Sequence, residues 1–356
     1  MQSFEITLKP RSFVQSFSPT LSFPASTTVF GAICWGIRAI WGTDALKKLL
    51  PDFTQHSQFF FLSSTFPLLE VDGLHIRFFP MPKLGVPAVE EEAKGNEFET
   101  KKRNVHLAEK HKKFKEVKFV SESLFRKILA AELNRENLFR EFVDGGYIKA
   151  GVFLFTLEDY GIATQMRLLP RISPVARAAI DRVSGSTSGG GEFFYDFRLL
   201  PGSFSGFFLL KTRDMEFLKP VFRYLEDTGI GGERSIGLNR YKIELTEVDL
   251  AFLNGDSKKL VTLSQWGVNP AELDDAKANE FRYGLLPYRR KLETGFDFKN
   301  SGQLWGSKAV YFVEGSVLAV KEKKDFYGQL RASAVVGSEK VMDYGICFPA
   351  FLAGGS

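Results

Sequence analysis

Between Thr228 and Arg240 the sequence reads Thr-Gly-Ile-Gly-Gly-Glu-Arg-Ser-Ile-Gly-Leu-Asn-Arg, four glycines with two arginines among them. Glycine lets successive backbone N–H groups point the same way and lets an oxyanion come close, and an arginine fork pairs with its oxygens. Gly231, Gly232, Arg234, Gly237 and Arg240 are therefore candidate phosphate ligands. An ordinary glycine cap on a helix, followed by a turn, accounts for the same letters. Two nucleotide motifs do not fit. A Walker A loop needs Lys and then Ser or Thr after its last glycine, where this chain has Leu238 and Asn239. A dinucleotide fingerprint needs a strand before its glycines, and a helical pattern precedes these.

Residues suited to acid–base or metal chemistry are few. His75 sits in an apolar strand pattern and reads as structural, His106 and His111 fall in a strongly basic stretch, and His56 has no evident partner. None has metal-ligand spacing, and two cysteines at opposite ends of the chain, Cys34 and Cys347, make no zinc site. No catalytic residue, metal or cofactor is assigned. A histidine-free nuclease using Tyr and Lys is the remaining catalytic alternative. The two cysteines read as free thiols of a reducing cytoplasm rather than a disulfide.

The 356 residues are enough for two domains, and 44% hydrophobic residues, 36 of them Phe, are enough for real cores. No run of 18 apolar residues encodes a membrane span, and Met1–Glu5 lacks the basic and apolar regions of a signal peptide. The net charge of +5 suits a polyanionic partner, and Lys101–Lys118 holds eight Lys/Arg against two Glu. That stretch is either a solvated, mobile insertion or a direct RNA contact.

Several elements follow from periodicity. Phe4–Leu8 alternates as a strand. A helix from about Ser26 puts Val29, Phe30, Ile33, Ile37, Ile40 and Trp41 on one face, with Gly42 closing it. Phe59–Leu62 and Leu74–Phe78 read as strands around a turn at Asp72-Gly73. Residues 80–119 read as an insertion. A helix near Glu122–Leu133 and a strand at Val152–Phe155 follow, then a long hairpin from about Arg171 to Phe197 that turns within Ser184–Gly191. After a strand at Phe207–Leu210 comes a helix bearing Val221, Phe222 and Leu225, with Pro220 expected in its first turn. The glycine loop and a strand at Tyr241–Leu245 close a βαββαβ unit. A polar break at Asn254–Asp256 then divides a domain 1–250 from a domain 251–356.

Gly231–Gly237 after a helix resembles the glycine-rich loop of the RAMP superfamily of CRISPR proteins. Phe23–Ile33 resembles the start of that family's first helix. Ala179–Thr187, leading to Gly191–Tyr195, resembles its hairpin thumb. Gly315–Leu318 resembles one subgroup, subunit four of type III-A Csm effector complexes. The resemblance implies an α+β fold of two ferredoxin-like (RRM-like) domains with a glycine-rich loop and a β-hairpin thumb. It implies a non-catalytic subunit that grips the CRISPR RNA by its backbone and caps its 5′ tag. The implied partners are the large polymerase/cyclase-like subunit and the backbone subunit. Carried onto this chain, the loop contacts are Gly231, Gly232, Arg234, Ser235 and Gly237 and the thumb contacts are Ile180, Asp181 and Arg182; Arg171, Arg177 and Lys211 are further candidate backbone contacts that no motif fixes. Phe193, Phe194 and Tyr195 either stack on bases or root the hairpin hydrophobically. An endoribonuclease of the same fold, the equivalent type III-B Cmr subunit, and a glycine-rich interaction protein with no RNA role are the alternatives.

Overall fold

Phe4, Ile6 and Leu8 bury one edge of their alternation, and Gln2–Pro10 forms the strand they predict, β1, inside the largest sheet. The computed structural model describes residues 1–16, 23–53, 59–71, 74–84, 97–165, 172–181, 183–187, 193–199, 204–292, 305–336 and 339–354. After β1 come β2 (Val14–Ser16), α1 (Ser26–Trp41), α2 (Thr43–Leu49), β3 (Phe60–Leu62), β4 (Phe66–Val71) and β5 (Leu74–Pro80). Then follow α3 (Glu97–Lys115), β6 (Phe119–Ser121), α4 (Glu122–Leu129), α5 (Arg135–Val143), β7 (Tyr147–Ala150), β8 (Phe153–Thr156) and α6 (Leu157–Gln165). The hairpin strands β9 (Ile172–Ala178) and β10 (Phe193–Leu199) lead to β11 (Ser205–Thr212), α7 (Met215–Thr228) and β12 (Tyr241–Glu247).

The main sheet runs β12-β1-β11-β4-β5-β6-β8-β7, antiparallel except where β6 and β8 run side by side in parallel. Its first four strands lie in the order fourth, first, third, second along the path β1-α1-β4-β11-α7-β12. The strand Leu74–Phe78 was expected as the third of that path. Instead β11, more than 120 residues later, fills the place beside β1, and β5 extends the sheet beyond β4. Asp72-Gly73 lies outside the described residues. Helices α1 and α7 pack side by side, so closely that a Cβ at Gly36 would come within 2.6 Å of Val221. The first helix has the expected ends, Gly42 closing it at φ +86°.

Three expectations change. Pro220 stands in the middle of α7 rather than its first turn, because Asp214 caps the helix six residues earlier, accepting from the Phe217 N–H (3.0 Å). The basic stretch is not patternless: α3 covers most of it. It lacks an apolar stripe, which hid it, and it is anchored at its C-terminal end, where Phe114 meets Phe139 and Phe142 (ring centroids 5.4 and 5.5 Å). Phe114→Ala should release α3, so that trypsin nicks Lys101–Lys118 at least about tenfold faster than in the wild type. Equal cleavage rates by mass spectrometry would mean that the helix does not depend on this anchor.

The third concerns the C-terminal part. After Glu247 the described residues form short strands and 3₁₀ turns and no α-helix, so the expected second ferredoxin-like unit has no counterpart among them. Lys259–Thr262 pairs with Val317–Ala319 on one side and Pro349–Phe351 on the other. This part shares a core with the rest: Val261, Leu263, Tyr344, Ile346 and Phe348 join the same cluster as Phe4 and Phe207. Buried Tyr344 accepts from the Leu62 N–H (2.9 Å) and donates to its carbonyl (3.1 Å), completing β3. Cys34 and Cys347 are both free thiols, and burial pushes Cys34 up to about 12. Among the described residues, no helix is long and apolar enough to cross a membrane.

Candidate nucleic-acid interface

The glycine loop is built from left-handed turns. Gly229 ends α7 at φ +81°, its N–H on the Leu225 carbonyl (2.8 Å). Ile230 is fully buried and bonds to the Asn239 carbonyl (3.0 Å), pinning the two ends of the loop together. Gly231, Glu233, Gly237 and Asn239 also have positive φ, and Gly232 does not. Glycine is thus a backbone requirement at 229, 231 and 237, and not at 232. Asn239 donates from Nδ2 to the Gly232 carbonyl (2.8 Å), and its N–H bonds to Phe13 (3.0 Å). Arg240 is tied by its N–H to Ser12 Oγ (3.1 Å), so the loop is laced to the segment after β1. The N–H groups of Gly231, Gly232 and Glu233 donate to no acceptor among the described residues. Ser235 and Ile236 are exposed beside them. Free N–H groups on a tight turn are the raw material of an anion cradle.

Next to this loop stands the hairpin, where β9, β10 and β2 make a separate three-stranded sheet. Arg177 of β9 joins the two features: its Nη1 lies 3.3 Å from Glu233 of the loop and 3.5 Å from Asp196 of β10. Arg177 is therefore already matched with carboxylates, and its first role is to hold the hairpin against the loop. Asp196, 8% exposed, also takes Arg198 at 3.3 Å. Farther out, Asp181 turns the hairpin by accepting from the Val183 and Ser184 N–H groups (2.7 and 2.9 Å), and those bonds lower its pKa. Arg171 and Arg182 lie outside the described residues.

The aromatic triplet does not root the hairpin. Phe193, Phe194 and Tyr195 are 64%, 43% and 61% exposed, and Ile180 and Val183 on the opposite limb are exposed as well. Neighbours on a strand point to opposite faces, so exposure of all three means that neither face of the tip is packed. Large rings left in water on a thin projection mark a contact surface. Lys211 is elsewhere. It pairs with Ser3 at the start of β1, whereas Tyr241, which follows the loop, pairs with Pro10 at its end.

His75 lies on β5, the strand expected there, and is exposed with Nδ1 3.9 Å from Glu70. His111 on α3 meets the edge of the Phe139 ring, and His56 lies outside the described residues. Among the described residues, no group of three or more His, Cys, Asp or Glu could hold a metal.

A sequence model of the RAMP superfamily matches residues 25–240, from the start of α1 to the arginine that closes the glycine loop. The chain belongs to the RAMP superfamily. A relative from Methanocaldococcus jannaschii, named CRISPR system Cms protein Csm4, is 25% identical over 252 residues, covering 62% of this RAMP protein. The alignment spans 64% of the relative's length. Among solved structures, a chain from a Csm3–Csm4 subcomplex of a type III-A interference complex aligns with TM-score 0.58 at 15% identity, covering 96% of this chain and 98% of its own. A chain from a Csm1–Csm4 cassette aligns with TM-score 0.54 at 17% identity over the full length of both. At these identities the likeness concerns the fold.

Of the four RAMP-like segments, two face solvent and two are stitches inside the molecule. At the start of α1, Ser26 Oγ accepts from the Gln265 N–H (3.0 Å) and Thr27 Oγ1 donates to Gln265 Oε1 (2.9 Å), so polar residues bind the C-terminal part to the main sheet. Gly315 needs to be glycine because it has φ +79° and its Cβ would lie 2.5 Å from the Met81 carbonyl. The glycine loop and the hairpin are the exposed pair, and Arg177 connects them.

Proposed function

We propose that this RAMP protein is a non-catalytic RNA-binding subunit of a type III CRISPR effector complex of the Csm kind, capping the 5′ tag of the CRISPR RNA. The observation that carries the reading is the Arg177–Glu233 bridge, which brings an exposed aromatic tip beside a loop whose Gly231, Gly232 and Glu233 N–H groups meet no acceptor among the described residues. A single strand calls for that pairing: rings on which bases stack, and a polar cradle that tracks phosphates. In this reading Gly231, Gly232, Arg234, Ser235, Gly237 and Arg240 hold the backbone. Ile180, Asp181 and Arg182 are the thumb's RNA contacts, and Arg177 positions the thumb. The path β1-α1-β4-β11-α7-β12 is the unit of the ferredoxin-like kind that carries the loop, with the hairpin as its insertion, and the part beyond residue 250 serves as a second domain. The likeness to chains solved with Csm1 and with Csm3 supports the large polymerase/cyclase-like subunit and the backbone subunit as partners.

The test is co-purification of the tagged protein with its complex, followed by sequencing of bound RNA. The reading expects guide RNAs with a common 5′ tag, and random cellular RNA would refute it. Purified protein should leave repeat-containing RNA intact with and without Mg²⁺, as no histidine acid–base pair stands beside the loop among the described residues. Cleavage that survives alanine at all four histidines would establish the Tyr/Lys nuclease alternative.

A further inference from the structure

At the far end of the main sheet from the glycine loop, a cavity of about 290 Å³ opens between β11 and the C-terminal part. Seven residues of β1 separate the Lys211 and Tyr241 registers, about 23 Å at 3.3 Å per residue, so the cavity and the loop are separate sites. Three lysines, Lys211, Lys323 and Lys324, line it with a single acid, Asp325, which leaves a surplus of two positive charges. The Lys211 ammonium sits near the rings of Phe61 and Phe348 (5.7 and 5.9 Å), and Lys323 lies 4.7 Å from the Phe351 ring centre. Burial pushes the Lys211 pKa down, with Asp325 offsetting it only in part, and no carboxylate among the described residues forms an ion pair with it. A partly dehydrated ammonium with no counter-ion costs stability unless an anion supplies the charge.

Ammonium groups are compact point charges that bind phosphate oxygens without needing a planar fork. The surplus of two charges matches a dianion. The volume lies at the lower end for small-molecule pockets, enough for a phosphate carrying one nucleoside and too small for a length of strand. We propose that this pocket binds a phosphate monoester, the lysines on the phosphate and the apolar wall of Phe348 and Phe351 against the group it carries. The same chemistry comes from a free nucleotide or from the phosphorylated end of an RNA.

Calorimetric titration of the full chain with AMP, inorganic phosphate, and short RNAs ending in 5′-phosphate or 5′-hydroxyl tests it. AMP and phosphate should bind the wild type, and Lys211→Met and Lys324→Ala should each weaken AMP about tenfold or more without lowering the melting temperature. Tighter binding of AMP than of either RNA end identifies a free nucleotide. A preference for the phosphorylated RNA end that disappears in Lys211→Met identifies the terminus. Lys324 is exposed, so its variant decides the matter if Lys211→Met does not fold. Binding that is absent from the wild type, or that neither variant alters, overturns the proposal. The AMP titration contains no RNA, so it stands apart from the RNA grip proposed above.

Discussion

Alanine at Phe193, Phe194 and Tyr195 together should weaken RNA binding about a hundredfold or more while leaving the melting temperature unchanged. Each stacked base is worth about 1–3 kcal/mol, so three at the lower bound already exceed a hundredfold. The stability half of the expectation follows from exposure: side chains 43–64% in water contribute little packing to lose. Gel-shift titration and thermal melting on the same variant separate the outcomes. Unchanged RNA affinity would leave the rings as a protein-docking tip, and a lower melting temperature would mean that they pack.

Gly229→Val should destabilise the protein by about 2–5 kcal/mol. A β-branched residue forced to φ +81° costs about 1–3 kcal/mol, and its Cβ would stand 2.6 Å from the Asn239 carbonyl, a clash with backbone that costs a similar amount. The Asn239 carbonyl also holds the Ile230 N–H, so the loop cannot yield there without losing its pin. Urea denaturation gives the value. A loss below about 0.5 kcal/mol would mean that the loop's conformation is adjustable and no preformed cradle exists.

Local pattern was a good guide wherever a segment decides its own conformation. The stripe from Val29 to Ile37 and the alternations in Phe4–Leu8 and Tyr241–Leu245 each yielded an element close to its observed bounds. Segments whose fate is set at a distance were not legible. Nothing in Ser205–Thr212 tells that it pairs with β1, some 200 residues earlier, because strand pairing over that range is fixed by the assembled core. Helix α3 has no stripe because Phe114 is the one buried hydrophobic side chain among its described residues, and a solvated basic helix spells the same as a basic loop. At the candidate site, the glycines, Arg234 and the thumb triplet were proposed from residue type and from resemblance. Left-handed backbone could be read for the loop as a whole but not assigned to Gly231 rather than Gly232. The Arg177–Glu233 bridge had no sequence signal, since 56 residues separate its partners. Lys211 was grouped with the RNA contacts by charge alone, and the strand register moves it to the other end of the sheet.

The central claim is that the loop grips RNA phosphates, and the salt dependence of RNA affinity in Arg234→Ala tests it most directly. Kd for a single-stranded guide is measured at several salt concentrations for the wild type, Arg234→Ala and Gly232→Val, with melting temperatures alongside. Losing one phosphate contact should cost about 1.5–3 kcal/mol and flatten the slope of log K against log salt by about 0.7, the single-strand value. Gly232 lacks positive φ, so valine there should reduce affinity with little loss of stability. If both variants keep the wild-type affinity and slope while Gly232→Val melts earlier, the loop is a helix cap and the RNA is held elsewhere.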